Sequence, residues 1–139
     1  MISRDKGDKL IKQFGFNLTN NNNLFAVTGK TKADRLQDIK LAVFNNEKCV
    51  LAYKVQGATL SNESQLCVGG EKGHDSCVGD SGSALMISTS IPGQLVKVWK
   101  LVGIVSFGPQ TCGMQNVPGV YSRVRYYIDW IMKTVKEFE

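Results

Sequence analysis

Four cysteines in 139 residues, at Cys49, Cys67, Cys77 and Cys112, restrict this chain more than any other feature. None of them stands in C-x-x-C spacing, and the one histidine, His74, cannot complete a common zinc pattern with them. An even count at wide spacing reads as two disulfides, with all three pairings open. Such crosslinks persist in an oxidising compartment, so a secreted setting is expected. The sequons Asn17-Leu18-Thr19 and Asn62-Glu63-Ser64 point the same way. The opening residues Met1-Ile2-Ser3-Arg4-Asp5-Lys6 have no apolar core and are no secretory signal. The two observations are reconciled if the natural start lies upstream of Met1.

Composition narrows the classes further. Apolar residues make up 42% and charged residues 21%, a balance that supports one globular domain with a real core. No stretch approaches the roughly 18 apolar residues of a membrane helix, so no membrane is expected as a partner. The net charge of +5 is modest and its lysines are dispersed. A nucleic-acid binder would cluster them along one face, so nucleic acid is not an expected partner either.

Residues 1–23 are rich in Lys, Asp and Asn and end in the run Asn20 to Asn23; they read as a disordered polar leader. From Leu24 the pattern is β. Ile39, Leu41 and Val43 alternate with Lys40, Ala42 and Phe44 at strand period. Asn45-Asn46 reads as a break, and Glu47 to Tyr53 as one or two helical turns. Leu85 to Ile87 and Val96 to Phe107 read as strands joined across the turn Ile91-Pro92-Gly93-Gln94. Gly119 to Val124 reads as a last strand. Tyr127, Ile128, Ile131 and Val135 then recur at helical spacing, which predicts a terminal amphipathic helix. Short strands, glycine-rich links and one closing helix suggest an all-β fold, a closed antiparallel barrel.

The chemistry lies in Cys77-Val78-Gly79-Asp80-Ser81-Gly82-Ser83. A serine hydroxyl is a weak nucleophile until a base takes its proton, and the oxyanion it creates needs backbone N–H donors. Gly79 and Gly82 allow a tight turn on either side of Ser81, with no Cβ in the way of a bound carbonyl. Alone, Gly-Asp-Ser-Gly could equally be a surface turn.

Its surroundings decide the reading. With Gly103-Ile104-Val105-Ser106-Phe107-Gly108, Pro118-Gly119-Val120-Tyr121 and the ending Val124 to Ile131, the chain resembles the C-terminal half of a trypsin/chymotrypsin-family serine endopeptidase. Within that family it is most similar to the trypsin-like proteases of insect clip-domain type. The resemblance implies a six-stranded Greek-key barrel over residues 24–125 and a helix from about Tyr126 to Phe138. It implies the pairings Cys49–Cys67 and Cys77–Cys112. It makes Ser81 the nucleophile and the N–H groups of Gly79 and Ser81 the oxyanion hole. Asp80 becomes the carboxylate that pairs with a new N-terminus on zymogen activation. Ser106, Phe107 and Gly108 become the edge that pairs with an extended substrate. Asp75, beside Ser76, becomes the floor of the specificity pocket, with Gly108 and Gly119 in its walls. An anionic floor between glycine walls admits Lys or Arg, because a buried charge must be paired. No cofactor or metal is implied; the implied partners are protein or peptide substrates with Lys or Arg.

The family's catalytic histidine, triad aspartate and activation motif do not occur among the 139 residues. They belong to the N-terminal barrel, which is then the expected partner, and His74 is expected to be an ordinary loop residue. The expectation is a trypsin-like endopeptidase present as a partial domain, inactive alone; the alternative is a non-catalytic homologue that binds partners in a protease cascade. Three departures stand out. Ser83-Ala84 replaces the family's usual Gly-Pro and is expected to crowd the turn behind Ser81, while Thr28 and Phe107 each stand where a tryptophan is usual.

Overall fold

The computed structural model describes residues 24–28 and 37–138. The polar leader, and the sequon at Asn17 within it, lie outside these residues. Six strands are present: β1 Leu24–Thr28, β2 Gln37–Leu41, β3 Gln65–Val68, β4 Ala84–Ser90, β5 Lys97–Phe107 and β6 Gly119–Arg123. Two helices accompany them, α1 Asn46–Val55 and α2 Val124–Glu137. All strand pairs are antiparallel and the order is β2-β1-β4-β5-β6-β3. The sheet curls until its two edges meet. The seam is a single bridge between Val43 and Val68, with Phe44 N–H donating to the Cys67 carbonyl at 2.9 Å and Gly69 N–H to Ala42 at 2.8 Å.

Period-2 alternation sorts side chains to the two faces of the curled sheet. Leu66, Val68 and Tyr121 point inward and join Leu24, Ala26, Leu41, Leu85, Ile87 and Val105 in the barrel core. Cys67 and Val120 point outward and meet Cys49 and Tyr53 of α1 in a second apolar cluster. Strands β3 and β6 are therefore buried on both faces along most of their length.

Asn45 turns out to start a helix rather than to break the chain. Its side-chain oxygen accepts the Lys48 N–H at 3.0 Å, a cap on an otherwise unpaired donor. The helix it nucleates is ten residues long, beyond the one or two turns expected. It survives because Cys49 is crosslinked to Cys67 and because Tyr53 is buried, its hydroxyl donating to the Pro118 carbonyl at 2.6 Å. The second crosslink is Cys77–Cys112. Both pairings match the expectation. Their loops of 18 and 35 residues make each worth about 3–4 kcal/mol in the chain-entropy account.

The terminal helix begins two residues earlier than expected, at Val124. Its apolar stripe is not buried: Ile128 packs inward, but Tyr127, Ile131, Val135 and Trp130 remain exposed. The helix rests mainly on β5, and one strand cannot cover a stripe that wide.

Tyr53→Phe should cost about 1–3 kcal/mol, because it strands a buried carbonyl acceptor without changing the packing volume. Urea melts of the oxidised chain, read beside an exposed control such as Lys54→Ala, measure this; equal midpoints for Tyr53→Phe and parent would reject the role given to that hydroxyl.

Candidate active site

The Ser81 turn is built by two successive hydrogen bonds, Asp80 N–H to Cys77 at 3.0 Å and Ser83 N–H to Asp80 at 2.9 Å. Gly79 and Gly82 sit at φ of 99° and 86°, where a side chain would be strained. Asp80 is buried and its carboxylate accepts the Cys77 N–H at 2.7 Å, so the loop folds around its own anion. Ser81 is left exposed on the outside of the turn. Among the described residues, the N–H groups of Gly79 and Ser81 have no backbone acceptor. Ser83 is half-buried and both its backbone groups are paired, the carbonyl with Val105 N–H at 2.9 Å. The turn behind Ser81 therefore closes with a side chain present at Ser83.

This turn stands where the β4–β5 ladder ends. The last ties are Gly82 N–H to the Val105 carbonyl and Val105 N–H to Ser83, both 2.9 Å. Beyond them Ser106, Phe107 and Gly108 continue without a β4 partner among the described residues. On the other side Phe107 pairs with Val120, and a register shift leaves Ser106 out of the ladder as a bulge. The result is a short open strand edge beginning beside Ser81. Its aromatic, Phe107, is set edge-on against Tyr53 at a centroid distance of 5.6 Å. The side chain of Thr28, the other departure from tryptophan, lies outside the described residues.

Asp75 is held by the meeting of two loops. Gly113 N–H donates to its Oδ2 at 3.1 Å, and the Gly113 carbonyl accepts from Gly73 N–H at 2.9 Å. A Cβ on Gly113 would fall 2.9 Å from the Gly73 Cα, so no other residue permits this approach. The second oxygen, Oδ1, is buried and has no hydrogen-bond partner among the described residues. It faces Gly119, where a Cβ would come within 3.1 Å of it. A Cβ on Gly108 would rest 3.9 Å from the Gly119 Cα, so these two glycines face each other as bare backbone. Ser76 is buried beneath, its hydroxyl accepting from the Tyr121 phenol at 3.0 Å.

The electrostatics follow from burial. Loss of water pushes the Asp75 carboxyl above its ordinary value, the Gly113 and Ser76 N–H groups pull it back, and the Asp80 charge raises it again. Burial lifts the Tyr121 phenol to about 12 against the bond to Ser76, and lifts Tyr53 to about 12 with help from the Asp75 charge. His74 is exposed, with Nδ1 3.2 Å from the carbonyl of Lys72 in its own loop. Sequence reasoning gave no role to Gly113, Tyr121 or Tyr53. A tyrosine inside an apolar strand needs a partner for its hydroxyl, and that signal was available for Tyr121.

A curled antiparallel barrel that presents a Gly-Asp-Ser-Gly turn beside an open strand edge has the makeup of a serine protease half-domain. Comparison with known proteins agrees. The family described as Trypsin matches residues 15–131. CLIP domain-containing serine protease B15 of Anopheles gambiae is 43% identical over 118 residues, covering 81% of this chain and 30% of that protein. CLIP domain-containing serine protease HP8 of Bombyx mori is 41% identical over 115 residues, covering 78% and 29%. The phenoloxidase-activating enzyme of Bombyx mori is 49% identical over 74 residues, covering 53% and 15%. The chain belongs to the trypsin family of serine proteases, and it spans less than a third of the length of these relatives.

Asp75→Asn removes the charge from the half-paired carboxylate. Because the folded pKa lies above 3.8, the parent's carboxylate weakens the fold as pH rises from 3.8 through the folded value. The variant should be more stable at pH 7, on the order of 1 kcal/mol, and the difference should shrink as pH falls toward 3.8. Thermal melts across pH 3 to 8 test the sign; a parent that gains on the variant with rising pH would refute it.

Proposed function

We propose that this chain is the nucleophile-and-pocket half of a trypsin-like endopeptidase that cleaves after Lys or Arg. One observation carries the reading: a buried carboxylate oxygen of Asp75, unpartnered among the described residues, faces Gly119, which with Gly108 beside it would wall a recess above the carboxylate. An unmade hydrogen bond to a charged acceptor is costly unless a ligand completes it, and a guanidinium or ammonium would do so.

The remaining geometry supports an order of events. An extended peptide adds to the open edge at Ser106–Gly108 by backbone hydrogen bonds. Its basic side chain enters the recess, which sets the scissile carbonyl over Ser81. The Ser81 oxygen attacks the carbonyl carbon as a base takes its proton, and the Gly79 and Ser81 N–H groups hold the developing oxyanion. Asp80 would take the ammonium of an activated N-terminus and so fix this loop. The base would be a histidine on an N-terminal barrel docked against this half, and substrates would be proteins met outside the cell. His74 is assigned no part in this step; it is exposed on the loop that carries Asp75.

Two measurements follow. Assayed alone on an arginine amide, the oxidised 139-residue chain should show no turnover above a Ser81→Ala control. In the serine protease subtilisin, loss of the base costs about six powers of ten in kcat. Turnover that Ser81→Ala abolishes would overturn the account of the base. Joined to the N-terminal barrel of an insect relative, the chain should cut peptide libraries after Lys or Arg, and Asp75→Ser should lower kcat/KM for those sites by at least a hundredfold, the scale of about 3 kcal/mol for a lost buried charge pair. An apolar preference that survives Asp75→Ser would reject the pocket assignment.

A further inference from the structure

We propose that Asn62 is an N-glycosylation site and that its glycan stands clear of the substrate recess. The inference rests on this turn and on the disulfides, and it holds whether or not the chain is catalytic.

The sequon Asn62-Glu63-Ser64 occupies the turn that leads into β3. Its main chain is pinned and its side chains are not. The Ser64 carbonyl accepts Arg123 N–H at 2.8 Å, the Arg123 guanidinium reaches the Asn62 carbonyl at 3.4 Å, and it also reaches the Gln65 carbonyl at 3.0 Å. Ser61 and Gln65 close the turn from within, Ser61 N–H donating to the Gln65 side chain at 2.7 Å. Asn62 and Glu63 are exposed. Among the described residues, neither the Asn62 amide nor the Ser64 hydroxyl has a hydrogen-bond partner. A folded protein retains a glycan only where the asparagine can point to water, and this turn meets that condition without rearrangement. The following strand carries Cys67, whose crosslink to Cys49 belongs to the same oxidising compartment in which glycans are added.

Register places the site. Gln65 pairs with Ser122 at one end of β3, and Val68 pairs with Gly119 at the other. Gly119 lines the recess above Asp75. At about 3.3 Å per residue the strand alone separates the two ends by roughly 10 Å, and Asn62 lies beyond Gln65. A glycan there would be attached beyond the end of β3 opposite Gly119.

The chemistry needs one co-reactant, an oligosaccharide carried on a lipid pyrophosphate. The Asn62 side-chain nitrogen attacks the anomeric carbon, a C–N bond forms, and the C–O bond to the pyrophosphate breaks. The lipid pyrophosphate leaves with the electron pair, and the amide proton passes to a base of the transferase.

The test is secretory expression of the full chain behind a cleavable signal. After reduction of the Cys49–Cys67 crosslink, trypsin releases a fragment, Val55 to Lys72, in which Asn62 is the only asparagine. Peptide mass should show this fragment shifted by a hexosamine-anchored oligosaccharide. Asn62→Gln and Ser64→Ala should each abolish the shift, Ser64→Thr should retain it, and Asn17→Gln should leave it in place. Recovery of the fragment from secreted, disulfide-bonded chain in its unmodified form alone would overturn the proposal.

Discussion

A carboxylate oxygen can stay buried without a partner only if the walls around it cannot collapse. Here the loops that hold Asp75 are brought into backbone contact at Gly73 and Gly113 and tied by the neighbouring Cys77–Cys112 crosslink. The contact fixes Asp75 through the Gly113 N–H, and the crosslink joins the Ser81 turn to the same assembly. The Asp75 loop and the Ser81 turn are thus parts of one unit. Displacement of Gly113 would release the Asp75 carboxylate and strain the loop that carries Ser81.

The barrel supplies the second half of that positioning. Ser81 sits at the end of the β4–β5 ladder because Gly82 and Ser83 exchange hydrogen bonds with Val105. Tyr121 enters the core from β6 and also carries Ser76 on its hydroxyl. Tyr53 does the same from outside, holding Pro118 beside Gly119. Core packing and recess geometry share these tyrosines, so a change in the packing of β6 is transmitted directly to the recess.

Much of this was legible in the chain. The alternation at Ile39 and Leu41, the turn at Pro92-Gly93 and the helical spacing after Tyr127 announced elements that the structure contains. The crosslink pairing was legible through family resemblance alone, because four cysteines by themselves leave three pairings open. Asn45 misled because a capping asparagine and a loop asparagine look alike until the Lys48 N–H is placed. The α2 stripe misled in the opposite direction: helical periodicity predicts an apolar face but not what covers it. Gly113 was opaque because its need arises from a residue 40 positions away, Gly73, and such long-range crowding leaves no local mark.

The seam between Val43 and Val68 has a mechanical consequence. Every other strand boundary is a ladder of several pairs, whereas this one is a single bridge. Low-energy fluctuations in a folded protein begin where the fewest bonds must break. The barrel should therefore breathe along this line, with the exit of β2 swinging away from β3. The covalent tie between Cys49 and Cys67, only a few residues further on, limits the swing. Opening at the seam is thereby a hinged, short-lived event that admits solvent to Leu41 and Leu66 but lets the edges find each other again in register.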